Sequence, residues 1–457
     1  MNNNKACKGL MRVGILGLSL LATGVMAAVS ESEAAKLGAS LTPMGAEKAG
    51  NADNSIPAWS PMPTNAGAVD SKGFLANPYA SEKPLFTITA QNVEQYKAKL
   101  SPGQYAMFKR YPDSYRIPVY PGHRGATVPD EVLAAIRRNA TTTNLVAGGN
   151  GLENFDIAIP FPLPQNGLEV IWNHITRYRG GSARRLVIQV TPQANGSYQP
   201  VSMSDQFVFR DKMKDFDPKN PGNVLFYFKQ EVTAPARLAG TVLLVHETLD
   251  QIKEPRDAWI YNAGQRRVRK APQVAYDGPG TAADGLRTSD NLDMYNGAPD
   301  RYDWKLVGKQ ELYIPANSHK LDDPKLKYDE IVKAGHINQD LARYELRRVW
   351  HVTATLKEGQ RHIYAKRDFF IDEDTWQAAV IDQYDGRGQM WRVSEAHAEN
   401  YYDKQVPWYA VETIYDLQNG RYLALGMKNE EKRAYEFGFS SSKAEFSPAA
   451  LRQEGVR

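Results

Sequence analysis

The chain has 457 residues, of which 42% are hydrophobic and 24% charged, and its formal net charge at pH 7 is +4. This composition is normal for a globular protein and leaves room for one large domain or two ordinary ones. Acids and bases are interspersed along the chain, so the small positive charge argues against nucleic acid as a partner.

The N-terminus has the pattern of a cleavable secretory signal peptide. Three basic residues among the first twelve precede an apolar run over 13–21, and small residues follow it up to Ala27. The run is shorter than the roughly 20 residues that span a bilayer, so the pattern predicts cleavage after Ala27 rather than an anchor. Cys7 is the only cysteine, so the mature chain is expected to have no disulfide and no thiol chemistry. We expect residues 1–27 to be removed and the protein to work in the periplasm, with association with the outer membrane left open.

Residues 28–150 are predicted to form an N-terminal arm with short helices. Proline, glycine, asparagine and serine are frequent as far as residue 121, and helical spacing occurs at 91–99, 102–109 and 129–138. A further helix is predicted over 167–178, where apolar residues recur on one side.

Residues 151–430 are predicted to form a large antiparallel sheet. Alternating, β-branched and aromatic runs begin at residue 186 and are separated by turn signals such as Asn195-Gly196 and Asn419-Gly420, which favour hairpins. The candidate strands cover 186–191, 199–209, 224–232, 238–247, 258–262, 266–270, 302–313, 344–356, 362–371, 375–384, 389–397, 408–415 and 422–427.

Two long insertions, at 281–299 and 316–340, interrupt the strand pattern, and residues 431–457 form a C-terminal tail. Insertions of this length usually cover or serve a site.

Charged residues fall within the apolar faces of the later strands. Counting by two along each strand predicts that five ionisable side chains share one half-buried surface: Arg348, Arg367, Asp382, Glu395 and Glu412. A charge on a buried face is costly unless it is paired. One interpretation is a cross-strand ion-pair network that fixes strand register. The other is a cavity in which these groups bind the polar end of an amphiphile, and both can hold together.

No catalytic or metal-binding motif is found. The eight histidines lack metal-ligand spacing, there is no Gly-x-Ser-x-Gly sequence, and the glycines around Gly280 lack the pattern of a nucleotide-binding loop. We therefore predict that the protein is not an enzyme and has no metal and no cofactor.

Four long segments resemble a known family. They are LTPMGAEKAG at 41–50, NGLEVIWNHITRYRG at 166–180, EPRDAWIYNAGQRRVRKAP at 254–272 and DQYDGRGQMWRV at 382–393. Together they resemble a proteobacterial family of exported proteins called domain of unknown function 1329.

The resemblance implies an α+β, mainly β fold similar to the lipoprotein carrier LolA and the receptor LolB. In that fold a strongly curved antiparallel sheet forms an unclosed barrel, and helices cover its concave side, where acyl chains bind. No catalytic residues come with the resemblance. The resemblance also implies that the protein works with a transporter of the resistance-nodulation-division (RND) class and with an outer-membrane partner.

Residues and resemblance together predict a periplasmic carrier or binding protein for a lipid, a lipoprotein acyl chain or a similar lipophilic cargo. The alternatives are a non-carrying adaptor or subunit of an RND-type transport complex, and an enzyme acting on envelope lipid. The arm and the 281–299 insertion are the predicted covers. The predicted cavity walls, which could equally be plain core, are Trp350, Val352, Phe369, Trp391, Val393 and Trp408.

Overall fold

The computed structural model describes residues 28–454, so the predicted signal peptide at residues 1–27 lies outside the described residues. The α-helices in this part of the chain are α1 Glu31–Ala34, α2 Pro102–Arg110, α3 Asp130–Thr142, α4 Gly167–Thr176, α5 Tyr328–Ile331 and α6 Pro448–Glu454. Within residues 28–454, no helix is both long enough and apolar enough to cross a membrane.

The strands are more numerous than the helices. They are β1 Phe86–Ile88, β2 Ile117–Val119, β3 Asn144–Leu145, β4 Leu152–Glu153, β5 Ser182–Val190, β6 Val201–Phe209, β7 Val224–Ala234, β8 Val242–Thr248, β9 Asp257–Asn262, β10 Arg267–Lys270, β11 Tyr302–Pro315, β12 Tyr344–Leu356, β13 Lys366–Asp372, β14 Ala378–Tyr384, β15 Met390–Tyr401, β16 Val406–Asp416, β17 Tyr422–Met427 and β18 Glu436–Phe437.

All of these strands except β3 and β4, which pair with each other, belong to one sheet. Its order is β1-β2-β12-β13-β14-β15-β16-β17-β5-β6-β7-β8-β9-β10, with β11 also paired to β12 and β18 to β5. Two meanders, β12 to β17 and β5 to β10, are thus joined side by side. The β2 and β12 contact is parallel, and the other pairings are antiparallel. Among the described strands, the end strands β1 and β10 do not pair with each other, so the sheet is open. The predicted mainly β fold with one large, unclosed sheet is confirmed.

The observed strands lie close to the positions that the alternation of apolar and polar residues predicted. Strands β12 and β17 have the predicted bounds. The turn glycines Gly196 and Gly420 have φ angles of 85° and 74°, a region that glycine adopts without a Cβ clash. The pattern does not predict β1 and β2, because each has three residues and Pro118 interrupts β2.

Both faces of the sheet are covered, whereas the resemblance implies helices on the concave side. Ile171 and Trp172 of α4 share a core cluster with Phe369, and we call this side the α4 face. Phe108 of α2 shares another core cluster with Val380, and we call this side the α2 face. Strands β16 and β17 are buried along their whole length, so both faces of the sheet need a cover.

The two insertions pack on opposite faces. The 281–299 insertion places Met294 and Tyr295 in the core of the α4 face. The 316–340 insertion places Leu321 and Ile331 in the core of the α2 face. Only the 281–299 insertion therefore covers the face on which α4 lies.

The chain termini are also tied to the sheet. Strands β1 and β2 of the arm extend the sheet beyond β12, and β18 of the tail pairs with β5. Phe446 and Leu451 of the tail pack in a cluster with Leu244 of β8. Arm and tail are thus parts of one packed structure.

Candidate ligand site beneath the 281–299 insertion

The five ionisable residues predicted to share one surface lie in three separate places. Two β-bulges explain the difference, because each inserts an extra residue and exchanges the faces beyond it. One extra residue, Ala379, lies between Ala378 and Val380, and the other, Ala410, lies between Tyr409 and Val411. As a result Arg367 and Glu412 lie on the α4 face, whereas Asp382 and Glu395 lie on the α2 face.

Asp382 and Glu395 bind the first turn of α2. The Asp382 carboxylate accepts hydrogen bonds from Ser101 Oγ and Gly103 N, both at 2.9 Å. The Glu395 carboxylate accepts from Gln104 Nε2 at 3.0 Å and from Tyr344 Oη at 2.9 Å. Burial raises the pKa of each carboxyl to about 7 against the lowering effect of these bonds. This pair fixes a helix of the arm on the sheet.

Arg348 lies in an ion-pair network that holds the arm. Its guanidinium donates to the carbonyl oxygen of Ala49 at 3.0 Å and lies 3.4 Å from a carboxylate oxygen of Glu373. Arg124 of the arm pairs with Glu373 at 3.2 Å and with Asp374 at 2.8 Å. These contacts support the interpretation of Arg348 as a residue that organises the fold.

Arg367 anchors the 281–299 insertion. Its guanidinium donates to Asp290 Oδ2 at 3.0 Å, and His362 Nε2 lies 3.1 Å from the same oxygen. Burial raises the pKa of Asp290, but Arg367 and His362 outweigh it and hold that pKa well below its usual value.

Asp293 is a second anchor of the insertion. Its carboxylate binds Arg177, at 2.5 Å, and also Arg179. Burial raises the Asp293 pKa, but the two arginines lower it to about 2. Burial lowers the pKa of His174 to about 3, so the neutral ring donates from Nε2 to the Asp293 carbonyl oxygen at 3.1 Å. Its Nδ1 accepts from Ala378 N at 3.0 Å, which fixes this tautomer.

Two adjoining pockets lie between the insertion and strands β6 to β8. Their volumes are about 50 Å³ and 30 Å³, and they share Phe226, Phe228 and Leu292 as walls. Phe207 and Trp408, stacked with ring centroids 5.4 Å apart, line the second pocket. The walls of the second pocket are thus largely aromatic, as in sites that bind apolar ligands, whereas the first pocket has a mixture of apolar and polar walls.

The six predicted wall residues lie in different parts of the structure. Trp408 lines a pocket, and Val352 and Phe369 lie in the core of the α4 face. Trp350 packs against that core and stacks on Trp376 with centroids 6.0 Å apart.

The remaining two wall candidates lie elsewhere. Val393 is in the core of the α2 face. Trp391 is half-buried and donates from Nε1 to Asp416 at 3.0 Å. Neither belongs to the lining of the two pockets.

Four arginines line the two pockets, and three of them are paired with acids. Arg185 pairs with Asp205 at 2.6 Å, and Arg179 is bound to Asp293. Arg287, in the insertion, is 5% exposed, its Nε is buried without a hydrogen-bond partner, and its guanidinium has no ion pair among residues 28–454. Arg287 is therefore a buried cation without an ion-pair partner in the described chain.

Glu412 is the acid with the largest electrostatic influence on Arg287. Its side chain is fully buried, and neither carboxylate oxygen has a hydrogen-bond partner among the described residues. Burial raises the Glu412 pKa to about 7, with Arg287 acting in the opposite direction. Close to pH 7 this acid is therefore divided between its neutral and charged forms.

Of the residues that line the two pockets, sequence reasoning identified Trp408 and missed the others. The alternating pair Phe226 and Phe228 carried a usable signal, since period-two aromatics mark one face of a strand. No sequence signal marked Arg287 as a pocket residue, because its role depends on an insertion folding onto strands distant in the sequence.

The fold defines a class of mainly β proteins built on one large open sheet. Residues 87–452 match the family model described as protein of unknown function DUF1329. An uncharacterized protein of Pseudomonas aeruginosa is 78% identical over 454 residues, covering 99% of this chain and 100% of that protein. The chain belongs to the DUF1329 family, as the resemblance predicted.

Several solved structures are similar to parts of this one. A candidate outer membrane lipoprotein-sorting protein domain from Vibrio parahaemolyticus has a TM-score of 0.44 at 13% identity, covering 63% of this chain and 98% of that one. A DUF1329 family protein from Desulfovibrio piger has a TM-score of 0.39 at 13% identity, with coverages of 60% and 92%. A LolA superfamily protein from Nitrosomonas europaea has a TM-score of 0.37 at 12% identity, with coverages of 62% and 98%.

Proposed function

We propose that this protein is a periplasmic carrier or binding protein for a lipophilic molecule, which binds beneath the 281–299 insertion. The observation that carries the proposal is the pair of adjoining pockets between that insertion and strands β6 to β8, which share Phe226, Phe228 and Leu292 as apolar walls. Removing apolar ligand surface from water there would contribute about 25 cal/mol per Å².

Uptake of a ligand requires the insertion to move. Pockets of about 50 Å³ and 30 Å³ hold little more than a water molecule or two. Leu292 is a wall common to both, so its displacement would join them. The next two residues, Asp293 and Met294, have φ angles of 53° and 65°, each costing about 1–2 kcal/mol. This strained segment is the natural place for the cover to rearrange.

Place of action and partners form part of the same proposal. The signal-peptide pattern of residues 1–27 supports export to the periplasm. The family resemblance supports an RND-class transporter and an outer-membrane component as partners. A carrier between two membranes would collect its cargo from one and deliver it to the other.

The proposal is tested by ligand analysis and by one substitution that fills the pockets. Native mass spectrometry and organic extraction of protein from its own periplasm should show a co-purifying lipophile. Uptake of the neutral fluorescent lipophile N-phenyl-1-naphthylamine should fall at least tenfold in Leu292→Trp, because the larger ring fills the shared wall. Leu85→Trp is the matched control, since Leu85 is 65% exposed and lies outside both pockets. No bound lipophile and no uptake by the unmodified protein would refute the proposal.

A second candidate is a non-carrying adaptor of an envelope transport complex. The filled interior favours it, since Met294, Tyr295 and Trp376 are each at most 1% exposed where a large cavity could otherwise lie. An adaptor should bind no lipophile and should be recovered in a stable complex after cross-linking in intact cells.

A further inference from the structure

The ligand pockets contain one cation whose charge is not balanced by a direct contact, Arg287. We propose that the ligand is an anionic amphiphile whose carboxylate or phosphate group binds the Arg287 guanidinium. This inference rests on the proposed function, and it adds the chemical class of the ligand.

The other arginines near the pockets already have acidic partners. Arg185 pairs with Asp205 at 2.6 Å, and Arg256 pairs with Glu247 at 2.9 Å. Arg179 shares Asp293 with a second arginine. Only Arg287, among the arginines that line the two pockets, has no ion pair with the described residues.

A buried arginine without a partner is costly, because desolvation of its charge is not compensated. Burial is also the main cause that lowers the Arg287 pKa below its ordinary value, with Glu412 acting against it. An entering carboxylate or phosphate would supply the missing partner, and the planar guanidinium can bind such a group through two parallel hydrogen bonds.

Further donors without a partner belong to residues that line the pockets. The Nε atoms of Arg179, Arg185 and Arg287 are all buried without a hydrogen-bond partner among the described residues. Arg179 and Arg185 line the second pocket, and Arg287 lines the first. An anionic group between the pockets would therefore meet donors from three side chains, while its apolar chain would contact Phe226 and Phe228.

Glu412 should oppose this binding. Its carboxyl acts on Arg287 more strongly than any other acid does. A ligand anion at Arg287 is therefore repelled by Glu412 whenever that group is ionised. Glu412→Gln should tighten the binding of anionic ligands, whereas Arg287→Gln should weaken it.

The test compares three probes that share a sixteen-carbon chain and differ in the polar end. Palmitic acid carries a carboxylate, 1-palmitoyl-lysophosphatidic acid a phosphate, and 1-hexadecanol no charge. Affinities are measured on delipidated full-length protein by displacement of N-phenyl-1-naphthylamine. We expect at least one anionic probe to bind tenfold or more tightly than the alcohol, and the stronger of the two identifies the head group.

Variants assign that preference to Arg287. Arg287→Gln should reduce the anion preference to less than threefold, Arg287→Lys should keep part of it, and Glu412→Gln should increase it. Arg138→Gln is the control, because Arg138 forms an ion pair with Asp156 on the surface. If Arg287→Gln does not fold, the Glu412→Gln result decides.

The outcomes separate the two proposals. Equal binding of all three probes, unchanged by these variants, overturns the anionic class and leaves the carrier proposal standing. Binding of N-phenyl-1-naphthylamine without displacement by any probe likewise overturns the anionic class alone. Failure of N-phenyl-1-naphthylamine and of every probe to bind overturns the carrier proposal itself.

Discussion

Three buried carboxyl groups carry pKa values of about 7, those of Asp382, Glu395 and Glu412. Burial is the main cause in each. The folded protein therefore holds these protons more tightly than the unfolded chain, whose carboxyls titrate at about 4. Between pH 4 and pH 7 the unfolded state loses protons first, so these groups lower stability as the pH rises through that window. Above about pH 7 their contribution is constant.

Glu412→Gln should make this effect visible for one residue. We expect the free energy of unfolding to rise by about 3–4 kcal/mol at pH 8, because the buried negative charge is gone, and to change little at pH 4. Urea unfolding at both pH values measures the difference. Asp303→Asn, at an exposed position, is the control and should show no such difference. An equal change at both pH values would mean that ionisation of Glu412 is not its origin.

At the scale of elements, the 281–299 insertion is held by charge as well as by apolar packing. Asp290 and Asp293 bind basic residues of β13 and of the segment after α4, and Met294 is fully buried. The Asp293 pKa of about 2 means that its ion pairs persist above about pH 4 and are lost as the pH falls toward 2. At neutral pH these ion pairs therefore hold the insertion on the sheet.

Asp293→Asn should loosen the insertion. The substitution leaves Arg177 and Arg179 buried without their carboxylate, at a cost of about 3–5 kcal/mol. Hydrogen exchange should accelerate in amides between residues 286 and 296 before it changes in β14. Asp284→Asn is the matched control within the same insertion, because the Asp284 pair with Arg421 lies on the surface. Unchanged exchange in Asp293→Asn would show that apolar packing alone holds the cover.

At the scale of the whole molecule, arm, sheet and tail share their cores. Trp376 donates from Nε1 to the Met44 carbonyl oxygen at 2.9 Å, and Arg124 binds Asp374 at 2.8 Å, so the arm is bonded to the β13–β14 hairpin. We expect one cooperative unfolding transition in calorimetry, with equal calorimetric and van't Hoff enthalpies. Arg124→Met should lower the temperature of that single transition without dividing it. A separate early transition would contradict this and would show that the arm unfolds independently.

Sequence patterns located most strands because alternation and hairpin turns are local signals. Strand β12 has its predicted bounds, since thirteen alternating residues leave little choice of register. The sequence did not predict correctly which face of the sheet each charged side chain lies on, because the bulge residues Ala379 and Ala410 are compatible with an ordinary strand. Arg287 could not be assigned to the pockets either, because its surroundings are contacts between segments far apart in the chain.

An open sheet leaves unpaired backbone groups at its two borders, where another chain could add on and start a fibre. Here one border is β11, which pairs only with β12, together with the three-residue β1. Strand β11 has a bulge between Leu306 and Gly308 and carries Lys305 and Lys309. The other border is β10, where Arg267, Arg269 and Lys270 occupy three of four positions. A bulge interrupts the regular row of hydrogen-bonding groups at a border, and positive charges there repel a second copy of the same strand. The chain can therefore keep an open sheet without becoming a template for aggregation.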